Sequence, residues 1–157
     1  MWVKVGKGGM FFQGADQLNM DSKGRLAIPS RHRDMLSACA GNLVLTAHGD
    51  GCLLIYPEPE WQPICEKLIK LSAFDPEIRK LQRRLIGNAR NETMDGAGRV
   101  LIPPTLRSYA SLDKLVMLVG LGNNFELWDE AKWQAQQETG LSFMDGKLPP
   151  ELAGFTL

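Results

Sequence analysis

The chain has 157 residues and 17.4 kDa, of which 44% are apolar and 23% charged, with 18 Lys plus Arg against 18 Asp plus Glu. This composition excludes a wholly disordered chain, a collagen and a disulfide-dense toxin, and a formal charge of zero excludes a polycation that wraps nucleic acid along its length. A local basic patch stays open, and the length suits one domain whose core needs neither disulfide nor metal.

In chain order, residues 1–9 (MWVKVGKGG) lack a signal-peptide apolar region and read as an extension before Met10, the expected start. Residues 17–20 and 25–28 flank the turn Asp21-x-x-Gly24 and are predicted to pair as a hairpin. Asp suits the first turn position, and Gly the place where φ turns positive. Pro29 has no N–H for a ladder and ends the second strand. Ser30 is predicted to cap a short helix through Leu36. Strands over 43–47 and 52–56 follow, joined by a turn at 48–51, and a helix opens near Pro59. Trp61, Ile64, Cys65, Leu68 and Leu71 share one helical face. Asp75-Pro76-Glu77 starts another helix, with an N-cap, a proline at the first position and an acid at the positive dipole end. Ile78, Leu81 and Leu85 continue its apolar stripe, so residues 62–90 are expected to form a helical hairpin. The longest apolar run, LVMLVGL at 115–121, is too short to span a membrane, and the expected location is the cytoplasm.

The most informative feature is internal repetition. MDSKGRLAIP at 20–29 recurs as MDGAGRVLIP at 94–103. Met20, Asp21, Gly24, Arg25, Ile28 and Pro29 become Met94, Asp95, Gly98, Arg99, Ile102 and Pro103, and Arg33 becomes Arg107. The similarity continues after a small gap. Leu43 and Val44 match Leu115 and Val116; Leu53, Ile55 and Tyr56 match Phe125, Leu127 and Trp128; Trp61 matches Trp133. In the second copy Pro104 takes the first helical position, and Asp129 opens the last helix. The plan is a first unit over 10–61, a helical linker over 62–90, a second unit over 91–137 and a tail over 138–157. One β-β-α-β-β unit is too small to bury both faces of its strands. The expected class is therefore α+β, mainly β with helices, in which the two units complete one pseudo-symmetric barrel or sandwich.

Enzyme signatures are missing from the sequence. There is no H-E-x-x-H, G-x-S-x-G or P-loop, and neither Gly96-x-Gly98 nor Gly120-x-Gly122 continues as a dinucleotide fingerprint. No catalytic residue, cofactor or small-molecule substrate is expected. Cys39, Cys52 and Cys65 show no C-x-x-C spacing and read as reduced, mostly buried thiols; with His32 and His48 they give no metal-ligand spacing. The repeated turn is the better candidate. Lys23 and Arg25 stand at or beside its tip, Arg31 and Arg33 follow, and no acid lies between residues 23 and 33. An arginine on a rigid tip reaches a phosphate or a guanine edge with two parallel hydrogen bonds.

Two readings stand side by side for Asp21 with Arg25 and for Asp95 with Arg99: a binding motif, or a pair that brackets a turn. The acids suit turn capping, because a carboxylate facing DNA is unfavourable. Lys23 and Arg25 are read as binding residues, with Arg31 and Arg99 beside them. Asp21, Gly24, Asp95, Gly98, Arg33 and Arg107 are read as support; for the last two arginines a binding role stands beside a structural one in which each hydrogen-bonds a partner hairpin. The copies are unequal, since Lys23 becomes Ala97 and Arg31 becomes Thr105. Arg79, Lys80, Arg83, Arg84 and Arg90 read as a solvated helix face.

The doubled D-x-x-x-R turn, the strands RLAIP and RVLIP, and the segments CLLIYPEPEW and NNFELWDEAKW closely resemble the MraZ family of bacterial transcription regulators. The resemblance runs from about Met10 to Trp133. It implies an AbrB-like swapped-hairpin barrel, a ring-shaped homo-oligomer and a nucleoid-associated repressor. It further implies double-stranded DNA carrying short direct repeats as the partner, upstream of a division and cell-wall gene cluster that includes the protein's own gene. An AbrB-type antitoxin or a scaffold without DNA are the competing classes.

Overall fold

Both halves of the chain run through the same order of elements. The first holds β1 (Phe12–Asn19), β2 (Arg25–Ala27), α1 (Ser30–Leu36) with a 3₁₀ turn at Ser37–Cys39, β3 (Asn42–Ala47), β4 (Leu53–Pro57) and α2 (Glu58–Ile69). After α3 (Pro76–Leu85), the second holds β5 (Arg90–Thr93), β6 (Arg99–Leu101), α4 (Pro104–Tyr109), β7 (Leu115–Gly122), β8 (Phe125–Asp129) and α5 (Glu130–Glu138). The computed structural model describes residues 11–140, 149–152 and 154. The extension expected over 1–9 lies outside them, as does most of the expected tail.

Local chemistry sets the helix starts. The Asp75 carboxylate accepts from the Glu77 N–H at 2.9 Å, and the Asp129 carboxylate from the Lys132 N–H at 3.1 Å, each supplying an orphan donor with an acceptor. Pro104 occupies the first turn of α4. Ser30 departs from expectation: Pro29 holds the cap position, Ser30 is already helical, and its side chain caps nothing. Proline's fixed φ, here −54°, leads straight from the strand into the helix.

The strands flanking each D-x-x-G turn do not pair as a hairpin. The turn itself closes, with Gly24 N–H donating to Asp21 O at 3.0 Å and Asp21 N–H to Arg25 O at 2.9 Å. Beyond it the strands part. β1 pairs antiparallel with β7 of the second copy, β5 with β3 of the first, and β2 with β6. Each half thus completes the other's sheet. The ladder order β1-β7-β8-β4-β3-β5 ends at two strands paired on one side, so the described strands form an open sheet and a separate ribbon, not a closed barrel. β2 and β6 are three residues each and stop before Pro29 and Pro103. They pair with one another and leave β1 and β5 unbridged.

The ribbon covers the sheet. Leu26, Ile28, Val100 and Ile102 are fully buried in one cluster with Leu45, Ile55, Leu118 and Phe125 of the sheet, and α1 and α4 add Leu36 and Leu106. Each such side chain contributes about 1.5–3 kcal/mol on burial. The long helices bring matched aromatics: Trp61 of α2 lies 5.7 Å from the Tyr56 ring, and Trp133 of α5 lies 6.0 Å from Trp128. α3 meets β3 through Thr46, whose hydroxyl donates to Leu85 O at 2.6 Å. Of the three free cysteines only Cys52 is buried, and burial pushes its thiol up to about 12; Cys39 and Cys65 are half-buried.

Candidate nucleic-acid interface

The ribbon register pairs Arg25 with Leu101, Leu26 with Val100 and Ala27 with Arg99. Strand side chains alternate faces. With Leu26 and Val100 buried, Arg25, Ala27, Arg99 and Leu101 therefore stand on the outward face. Arg25 and Arg99 lie diagonally across it, about 7–8 Å apart by ladder geometry.

Each arginine is gripped by the acid of its own turn. Asp21 accepts from the Lys23 N–H at 3.0 Å, the Arg25 N–H at 2.8 Å and Arg25 Nε at 2.8 Å. Asp95 repeats this with Ala97 N–H at 2.9 Å, Arg99 N–H at 2.9 Å and Arg99 Nε at 3.1 Å. The Arg25 and Arg99 N–H groups, first among several hydrogen bonds, hold both carboxyls below the usual carboxylate value. The bracket uses only Nε. Among the described residues the terminal Nη groups of Arg25 and Arg99 meet no acceptor, and they are the paired donors that a guanine edge or a phosphate takes. Of the two readings of D-x-x-x-R, the turn-capping pair is what forms: the acid caps the turn and holds the arginine at Nε. Each Asp–Arg pair is formally neutral, so Lys23, exposed and without an acceptor among the described residues, gives the first turn an excess positive charge that Ala97 denies the second.

The supporting residues interlock the copies. Ile28 N–H donates to Gly98 O at 2.9 Å, and Ile102 N–H to Gly24 O at 2.8 Å. Arg33 Nε donates to Ile28 O at 2.6 Å, and Arg107 Nε to Ile102 O at 2.9 Å. These bonds go to each arginine's own strand end, where the structural reading of the sequence had a partner hairpin. The contact with the other copy is steric: Arg33 lies over Gly98, and Arg107 over Gly24. A Cβ at Gly98 would meet Arg33 Nε at 2.4 Å, and one at Gly24 would meet Arg107 Cζ at 2.6 Å. Both glycines have positive φ, +78° and +84°.

Gly98→Ala is accordingly expected to impose left-handed strain of about 1–3 kcal/mol and to dislodge Arg33 from Ile28 O. At this size that lowers Tm by roughly 2–12 °C. Gly96→Ala, with nothing within 4 Å of its Cβ, is the control and is expected to leave Tm within about 2 °C. Equal melting shifts by calorimetry would show that the interlock carries no stability.

The basic run from Lys23 to Arg33 does not assemble into one patch. Arg31 makes a two-bond pair with Asp16, at 3.0 and 2.5 Å, and Arg33 turns to Ile28 O and lies over Gly98. Sequence reasoning missed the Asp16 pair and the neighbouring His32. The imidazole is buried between Phe12, 5.6 Å away, and Phe125, 4.9 Å away, with Asp16 Oδ2 at 3.7 Å. Burial, then the Arg31 charge, hold it below the ordinary histidine value. Its only sequence signal was an interior helix position matched by Leu106 in the second copy. Among the described residues no group of His, Cys, Asp or Glu is placed to hold a metal, and no helix is long and apolar enough to cross a membrane.

A tandem α+β protein results, in which two units exchange strands and present a twofold pair of buttressed arginines. A family model described as "MraZ protein, putative antitoxin-like" matches residues 11–84 and again 85–147. The chain is 54% identical over 147 residues to a protein of Nitrosospira multiformis, 55% to one of Nitrosomonas eutropha and 52% to one of Dechloromonas aromatica; each match covers 93% of this chain and 99% of the relative. All three relatives bear the name Transcriptional regulator MraZ. The chain belongs to the MraZ family.

Proposed function

We propose that this chain is a sequence-specific DNA-binding transcriptional regulator. In this reading it acts in the cytoplasm, on the nucleoid, as a ring-shaped homo-oligomer that binds short direct repeats and represses a division and cell-wall gene cluster together with its own gene. The observation that carries the DNA-binding reading is the doubled bracket: two arginines on one outward ribbon face, each fixed at Nε and, among the described residues, without an acceptor at Nη. A two-stranded ribbon fits the major groove. The carboxylate that would repel a phosphate is occupied by three N–H donors at each turn. Lys23, Arg25 and Arg99 are the direct contacts; Arg31, whose charge Asp16 offsets, is an outlying one. Asp21, Gly24, Asp95, Gly98, Arg33 and Arg107 hold the ribbon in shape.

The test is footprinting of the DNA upstream of the chain's own gene, followed by gel shifts at two salt concentrations. A protected set of repeats and a steep loss of affinity with salt support the reading, since each phosphate neutralised contributes a log–log slope of about −0.9. No footprint would leave the scaffold reading standing.

The two turns are expected to be unequal. Arg99→Ala should weaken binding less than Arg25→Ala, because only the first turn carries excess positive charge. With Arg31 paired to Asp16, this ranking rests on Lys23 against Ala97, so Lys23→Ala should bring the two losses together. Equal losses for Arg25→Ala and Arg99→Ala at matched salt, in the parent background, would overturn it.

A further inference from the structure

We propose that Leu101 sets the direction in which the ribbon reads DNA, by packing against the C5-methyl group of a thymine in the major groove. The inference rests on the DNA-binding reading above and adds a specificity-determining residue to it.

The repeat maps Arg25 onto Arg99 and Ala27 onto Leu101, while the ladder pairs Arg25 with Leu101 and Ala27 with Arg99. The local twofold axis therefore passes through the central Leu26–Val100 pair. A reader with an intact twofold axis presents the same groups to DNA in both directions and suits an inverted repeat. This ribbon breaks that symmetry in the middle of its outward face. One arginine stands opposite an alanine and the other opposite a leucine. The second asymmetry, Lys23 against Ala97, lies at the turn; a lysine is a point charge that suits a phosphate and carries no base information.

Leu101 has the exposure such a contact needs. It is 40% exposed, whereas the preceding Val100 and the following Ile102 are fully buried. An exposed leucine between two arginines is an apolar group in a cationic setting. The groove floor supplies the matching chemistry, an apolar thymine methyl among hydrogen-bond acceptors and phosphates. Reach agrees as well. Opposite residues in the ladder have Cβ atoms about 4.5–5.5 Å apart, which is one to two base steps of about 3.4 Å. An arginine on a guanine and a leucine on a nearby thymine then define an ordered, directional pair.

The experiment takes the footprinted upstream fragment as duplex probes in which each thymine is replaced in turn by deoxyuridine, which lacks only the methyl group. Affinity is measured for the parent protein, for Leu101→Ala and for the exchange variant Ala27→Leu with Leu101→Ala, with melting and sedimentation run alongside. For the parent, one deoxyuridine position in each repeat is expected to lower affinity about 4-fold, the value of one buried methyl. Leu101→Ala should lose about the same factor on unmodified DNA and be indifferent to that position. The exchange variant should transfer the sensitivity to the mirror-related position. A parent protein insensitive to every methyl overturns the inference even if Leu101→Ala fails to fold. So does a Leu101→Ala that keeps the parent's methyl sensitivity, or one that changes the sedimenting species, which would place Leu101 between copies of the chain. Failure of the parent reading is distinct, because there no probe binds at all.

Discussion

Arg25→Ala is expected to abolish sequence-specific DNA binding while leaving the fold and the oligomeric state intact. The two effects separate because the side chain does so little inside the protein. Its Nε meets Asp21 across a partly exposed surface, with the two side chains 31% and 35% exposed. A pair of that kind, screened by solvent, contributes little to stability. Packing at this point of the ribbon belongs to Leu26, which is fully buried. The Arg25 backbone N–H still donates to Asp21 after truncation, so the turn stays closed. The loss falls on the Nη pair. A base contact made by such a fork is worth about 1–3 kcal/mol, roughly 5- to 150-fold in affinity, and every engaged subunit loses it again. Arg25→Lys retains the charge and lacks the planar fork; it should keep nonspecific, salt-sensitive binding and lose discrimination between repeat and random DNA. Fluorescence anisotropy with both probes, beside sedimentation and thermal melting, measures all three properties. A variant that unfolds, or that sediments as a smaller species, would make Arg25 a structural residue.

The elements were legible in the sequence where periodicity and caps spoke together. The Asp75-Pro76-Glu77 start, the strands near 43–47 and 52–56, and the doubled unit all emerged from residue pattern. The partner of each strand did not. A D-x-x-G turn closes in the same way whether its flanking strands pair with each other or part, and only the topology of the whole decides. The bracket showed the same limit. The spacing of Asp21 and Arg25 allows either a capped turn or a ligand site; the capped turn forms, and it uses Nε alone, a detail that spacing does not carry. Arg33 and Arg107 were marked by their recurrence beside Gly24 and Gly98. That a guanidinium covers the opposite glycine is a relation between copies, invisible to local spacing. The basic run misled for the same reason: Asp16 lies fifteen residues before Arg31 and reaches it from β1.

Binding is expected to depend on assembly more than on any single contact. A chain of zero net charge offers DNA one ribbon with two arginines and one lysine, and two of those charges already have a carboxylate beside them. One ribbon neutralising about two phosphates would show a log–log salt slope near −2, and slopes should add as further ribbons engage. If the chains form a ring, the second and later ribbons bind at an effective concentration set by the ring, and affinity rises without new kinds of contact, by factors of about 10²–10⁴. The spacing of the repeats has to match that of the ribbons. Sites about 10 bp apart present the same groove face to successive subunits, and a half-turn insertion of about 5 bp should remove the gain while leaving each repeat intact. Probes carrying one, two and three repeats, titrated at two salt concentrations, together with a two-repeat probe holding the half-turn insertion, make the measurement. Affinity should climb far faster than repeat number, the slope should steepen in step, and the insertion should return the two-repeat probe to the one-repeat value. If a single repeat binds as tightly as three with the same slope, each chain recognises DNA alone and assembly has no part in it.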